Sequence, residues 1–152
     1  MLLQFIVCVF ASISFAVLFA APKSELIYCG LSGAIAWVVY LGCQKLGATS
    51  AVSNMLACFS LTVASRLFAA IRRNPATVYL ISGIFPLVPG AGIYYTTYSL
   101  IMNDMDAFTS NGIGTLKTAG ALVLGIIFGS SVPQSWFNAI GKIPFRRRKS
   151  QH

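Results

Sequence analysis

Pro86, Pro89, Gly90 and Gly92 interrupt the apolar run from Ala76 to Met102. Each proline removes a backbone donor and collides with the carbonyl four residues back, so a regular helix cannot pass through them. In hydrocarbon, every backbone group freed this way needs another partner or costs several kcal/mol. Such a break therefore belongs where protein or a wet cavity surrounds it. A helix restarting near Pro89-Gly90 presents amides of partial positive charge that bind a carboxylate without a cationic side chain. Gly90 and Gly92 let a ligand approach the backbone closely. Tyr94-Tyr95-Thr96-Thr97-Tyr98-Ser99 follows directly. Its hydroxyls could hydrogen-bond a small zwitterion or a dicarboxylate, with Asn54 or Thr62 of an earlier segment contributing. The competing reading is a structural kink whose tyrosines sit at the membrane interface.

Enzymatic chemistry has no comparable basis. The sequence holds no paired carboxylates in an apolar segment, no serine–histidine arrangement and no P-loop, which excludes ATP hydrolysis on this chain. The single histidine is the terminal His152, and Cys8, Cys29, Cys43 and Cys58 form no CxxC pair. They read as small buried hydrophobes, and no metal or cofactor is expected. Asp104 and Asp106 flank one position and could hold a cation or catch a proton, or simply be a solvated turn. Arg66 could snorkel to the interface or take a coupling role. Lys117, early in the last apolar segment, is a further candidate for coupling or pairing.

The elements that must position these residues are apolar helices. Of 152 residues, 57% are hydrophobic and 9% charged, against roughly 25% charged in soluble domains. With mean hydropathy +0.77, the sequence predicts an all-α, single-domain integral membrane bundle. Five transmembrane helices are expected, at about 2–20, 26–43, 50–71, 76–102 and 115–140, the fourth interrupted at Pro86-Pro89-Gly90. The first lacks a basic n-region and is read as a retained helix stopped by Pro22, not a signal peptide. Gly30, Gly33 and Ala34 leave room for a neighbouring helix, while Trp37 and Tyr40 suit interfacial anchors. Asn54, Cys58, Thr62 and Ser65 form a stripe that should face protein. Ala121, Gly125 and Gly129 repeat as a small-residue ridge, with Pro133 kinking or ending it. Thr109 to Gly114 reads as a polar connection.

The net charge of +8 is not spread over a nucleic-acid-binding face; Arg146 to Lys149 cluster beyond the last apolar segment. Residues 146–152 are read as a basic cytoplasmic tail, and no nucleic-acid partner is expected. With Lys23, Arg72, Arg73 and Lys142 on the same side, and Lys45, Asp104 and Asp106 on the other, the positive-inside rule puts the N-terminus outside and the C-terminus in the cytoplasm of a prokaryotic inner membrane.

Pro86-Leu87-Val88-Pro89-Gly90, then an aromatic and hydroxyl-rich helix, an acidic turn and a glycine-rich last span, resemble the threonine/serine exporter family. Nearly the whole chain takes part, in the manner of that family's small five-span subunit or C-terminal membrane half. The resemblance implies a secondary exporter of threonine and serine, or of a dicarboxylate such as succinate, driven by the proton motive force. It also implies a larger membrane subunit as partner, this chain being half of a transporter. Two other readings stay open: a non-transporting assembly or scaffold subunit, and a homo-oligomeric channel.

Overall fold

The structure is a computed structural model and describes residues 2–133. Among the described residues six α-helices follow one another: α1 (Leu2–Leu18), α2 (Leu26–Lys45), α3 (Ser50–Arg72), α4 (Ala76–Ile84), α5 (Gly90–Ile101) and α6 (Met105–Ser131). One-turn 3-10 helices occupy Lys23–Glu25 and Phe85–Leu87, and no strand occurs among the described residues. The far end of the expected last span, Lys142 and the basic tail 146–152 lie outside the described residues.

Most boundaries have a local cause. Thr49 caps α3 by accepting from the Val52 amide, and α3 stops at Arg73, whose left-handed φ of 58° is followed by Pro75. Asp104 caps α6 by accepting from the Ala107 amide at 3.0 Å, and α6 ends just ahead of Pro133. The last helix therefore begins at Met105, not at Thr115 as the polar, glycine-containing stretch 109–114 implied. Thr109, Thr115 and Thr118 each donate to the carbonyl four residues back, which lets these polar residues sit within a helix.

Lys23–Lys45, α3 and α6 are long and apolar enough to cross a membrane. Ala76–Leu87 and Gly90–Ile101 are long and apolar enough only together and are bent by 50° at their break, giving up to four crossings if the pair is one broken span rather than a re-entrant loop. The 17 residues of α1 reach about 25 Å at 1.5 Å each, short of a hydrocarbon core of ~30 Å. Among the described residues length and apolarity thus give three or four spans, where the sequence predicts five.

Small residues set the packing. The most extensive interface joins α3 to α6, where Gly125 rests on the Met55 carbonyl and Cys58, and Gly129 rests on Thr62. The stripe on α3 and the ridge on α6 are both buried in this contact, as their spacing predicts. Gly30 of α2 lies on Val9 and Ile13 of α1, and Gly33 meets Ser12 and Gly83. In lipid, where apolar side chains gain little by leaving solvent, such close backbone approach holds helices together. The outward faces carry Phe10, Ile27, Val123 and Phe128, all more than half exposed. An apolar surface this broad suits lipid rather than water.

Candidate functional site

The break is assembled from its own residues. α4 ends at Ile84, the 3-10 turn follows, and Val88 is extended while its amide donates to the Phe85 carbonyl at 3.2 Å. Phe85 stacks on Phe15 and Phe19, with ring centroids 4.2 and 5.3 Å away, which holds the break against the first helix. Pro89 caps α5 without a side-chain bond. The Gly90 amide donates to the Val88 carbonyl at 2.7 Å, and the Ile93 amide to the Pro89 carbonyl at 3.0 Å. Between them, the amides of Ala91 and Gly92 have no partner among the described residues. They are two of the orphan donors that any helix start leaves.

Ala91 and Gly92 line a cavity of about 610 Å³. Its other walls are residues 86–90 of the break, Trp37 and Tyr40 of α2, Ser50 and Asn54 of α3, and Ser110, Asn111, Gly114, Thr115 and Thr118 of α6. None of these carries an ionisable acid or base other than the Tyr40 phenol. The site offers amides, carbonyls, hydroxyls and two aromatic rings around apolar surface, a combination that orients a small solute through dipoles. The cavity takes in the second half of α2 and the first turns of α3, so it lies toward the α2–α3 loop. Beyond it Ala36, Ala57, Cys58, Leu61, Leu87 and Leu122 form a packed core.

The predicted residues divide accordingly. Pro86, Pro89, Gly90, Gly92 and Asn54 come together on the cavity. A Cβ on Gly90 would meet nothing within 4 Å, whereas one on Gly92 would strike the Thr115 hydroxyl. Glycine at 92 thus serves the close approach of α5 to α6. Thr96 and Thr97 line a neighbouring cavity of about 370 Å³, their hydroxyls donating to the Gly92 and Ile93 carbonyls. Tyr94 and Tyr95 lie on the exposed face of α5 and line neither cavity; with Tyr98 they form an aromatic cluster. Thr62 packs on Gly129 in the α3–α6 interface and donates to the Cys58 carbonyl at 2.8 Å. Asp104 is a helix cap, and Asp106 and Lys117 are exposed.

Arg66 crosses to the end of α6. Its Nη1 lies 3.1, 2.7 and 2.7 Å from the carbonyl oxygens of Gly129, Ser130 and Val132. A guanidinium there satisfies the orphan carbonyls of the helix end and complements the negative pole of its dipole. Arg66→Met is expected to fray this end: amide exchange over 129–132 should speed up by at least about tenfold, the loss of one charge-assisted bond of ~1.5 kcal/mol. Lysine should restore only part of the protection, as it offers a point charge in place of a fork.

Sequence reasoning missed most of the α6 wall. Asn111, Thr115 and Thr118 recur at spacings of four and three, a legible helical stripe once 109–114 is taken as helix. Trp37 and Tyr40 fit an interfacial belt by type, yet they stack at 5.2 Å and face the cavity.

The family model described as "Threonine/Serine exporter, ThrE" matches residues 4–132. A "Probable threonine/serine exporter" of Mycobacterium tuberculosis is 26% identical over 124 residues, covering 81% of this chain and 23% of that protein. The chain therefore spans less than a quarter of that relative's length. No solved structure matches. The family is one of transporters, not enzymes, in keeping with a bundle of apolar helices around a cavity of mixed polar and apolar lining. An all-helical membrane protein matched by the family model across nearly all its described residues, this chain belongs to the threonine/serine exporter family.

Proposed function

We propose that the chain is a membrane subunit of a secondary exporter and that the cavity at the helix break is its solute site. The observation that carries this reading is the meeting of two unpartnered amides, Ala91 and Gly92, with Asn54, Asn111, Thr115 and Thr118 in one cavity. The α-carboxylate of threonine or serine fits the amides at the start of α5, and the polar side chains opposite suit its ammonium and hydroxyl groups. A dicarboxylate such as succinate meets the same amides with one end. In this reading the proton motive force drives export. A larger membrane subunit closes the side of the pathway that this chain leaves open.

The same reading takes α1 as a fifth span, with flanking residues or local thinning of the bilayer making up its length. The N-terminus is then outside, and Lys23, Arg72 and Arg73 lie at the cytoplasmic face. A strain lacking this chain and fed a threonine-containing dipeptide is expected to accumulate threonine and to release it more slowly than its parent. Unchanged efflux of threonine, serine and succinate would overturn the proposal.

A further inference from the structure

Glu25, one of three acidic residues in the chain, does not line the cavity, makes no side-chain capping bond although it stands at the N-cap of α2, and is 2% exposed. It sits in the turn between α1 and α2, where several groups converge on its carboxylate. Arg72 Nη2 donates to Oε1 at 2.8 Å and Arg72 Nε reaches Oε1 and Oε2 at 3.2 and 3.1 Å. The Tyr79 hydroxyl donates to Oε2 at 2.7 Å, and the Ser24 hydroxyl to Oε1 at 3.2 Å. The Arg72 guanidinium also lies 4.8 Å over the Tyr28 ring. One carboxylate thus joins the turn before α2, the end of α3 and the first turns of α4. Beneath it Ala16, Cys29 and Tyr79 form a closed core.

The cluster and the cavity occupy opposite ends of the same helices. α2 runs from Glu25 to Trp37 on the cavity wall, roughly 18 Å at 1.5 Å per residue, and α3 returns from Asn54 to Arg72. Between the two ends lies packed core. A solute in the cavity has no way out past Arg72 unless α2 separates from α3 and α4 there.

We propose that Glu25, Arg72 and Tyr79 form a latch that closes the pathway at the end opposite the cavity and must part for solute to pass. This rests on the reading of the cavity as the solute site. An ion pair whose carboxylate is buried is a weak source of net stability, because desolvation of that carboxylate offsets much of the attraction. Its distinguishing property is that both charges hydrate once the helices part, so the open state is less disfavoured than with an apolar seal. The Arg72 side chain is already 34% exposed while that of Glu25 is 3% exposed, so water reaches the pair from the guanidinium side.

A native thiol reports on this opening. Cys29 lies one helical turn beyond Glu25, is fully buried and approaches the Val78 carbonyl at 3.7 Å. Cys58, equally buried, sits in the core next to the cavity, and Cys43 is partly exposed. The full chain in membranes is treated with a maleimide and each cysteine is quantified by mass spectrometry. Wild-type Cys29 should stay unmodified while Cys43 reacts. In Glu25→Gln the modification of Cys29 should rise by at least about tenfold, less than for a fully buried pair because the Arg72 side chain is partly exposed, with Cys58 still protected. Exchanging the charges, Glu25→Arg with Arg72→Glu, should restore protection. In transporting wild-type membranes, threonine should accelerate Cys29 modification, which a purely structural ion pair would not do. The latch is overturned if Cys29 stays protected in Glu25→Gln, if Cys58 is exposed in step with it, or if threonine leaves Cys29 unchanged. A wild-type chain that supports no efflux of threonine, serine or succinate would instead overturn the reading of the cavity.

Discussion

Gly90→Leu is expected to lower threonine and serine efflux by at least about tenfold, a barrier increase of ~1.4 kcal/mol, while leaving membrane insertion and abundance unchanged. The reason is steric and local. A Cβ at position 90 meets nothing within 4 Å, so the isobutyl group finds open space in the cavity rather than a neighbouring helix. The residue opens α5 under Pro89, and its φ is not among the left-handed ones, so leucine brings no backbone strain. Once there, an apolar branch covers the Ala91 and Gly92 amides that a carboxylate would use. Gly92→Ala makes the contrast, because its Cβ runs into Thr115 and the cost falls on the α5–α6 contact. Efflux from dipeptide-loaded cells, normalised to immunoblotted membrane protein, separates the two. Wild-type efflux by Gly90→Leu at equal abundance would mean that solute does not pass this wall.

The second large effect is expected at Gly125. Leucine there should remove folded protein from the membrane, since the new Cβ would lie 2.8 Å from Cys58 Cβ and against backbone atoms of Met55 and Phe59. Backbone cannot rotate aside as a side-chain tip does, so α6 must move off α3 along the largest interface in the bundle. Overpacking a core through off-rotamer side chains and backbone shifts typically costs about 1–3 kcal/mol, and an isobutyl group set against the backbone of Met55 and Phe59 falls at or above the top of that range. The readout is thermal aggregation in detergent together with maleimide modification of Cys58, which should become accessible. Gly120→Leu is the matched control on the same helix, because nothing lies within 4 Å of its Cβ. Equal loss of folded protein in both variants would show that helix propensity, not interhelical packing, is responsible.

These two glycines show how much was readable in advance. The spacing of Ala121, Gly125 and Gly129, and that of Asn54, Cys58, Thr62 and Ser65, announced two faces made for close contact. Both faces are buried, and they meet each other. The break at Pro86 and Pro89 was equally legible, because proline chemistry acts within four residues of itself. The start of α6 was not. Thr109, Ser110, Asn111 and Gly112 are loop residues by local preference, and the Asp104 cap with back-bonded threonine hydroxyls overrides that preference.

By itself the sequence determined an all-helical membrane protein, the position of its interrupted helix and the small-residue faces that bind its helices. Each of these follows from composition or from contacts within one or two helical turns. Only the tertiary structure decided which hydroxyls meet the cavity. The rotation of α5 against α6 is set by Gly92 on Thr115 and Gly112 on Thr96, and it turns Tyr94 and Tyr95 outward while Asn111, Thr115 and Thr118 face in. It alone also placed Arg72 and Tyr79 on Glu25, across 47 and 54 positions of sequence. Helical periodicity tells a residue which face it shares, whereas the partner of that face depends on how whole helices cross.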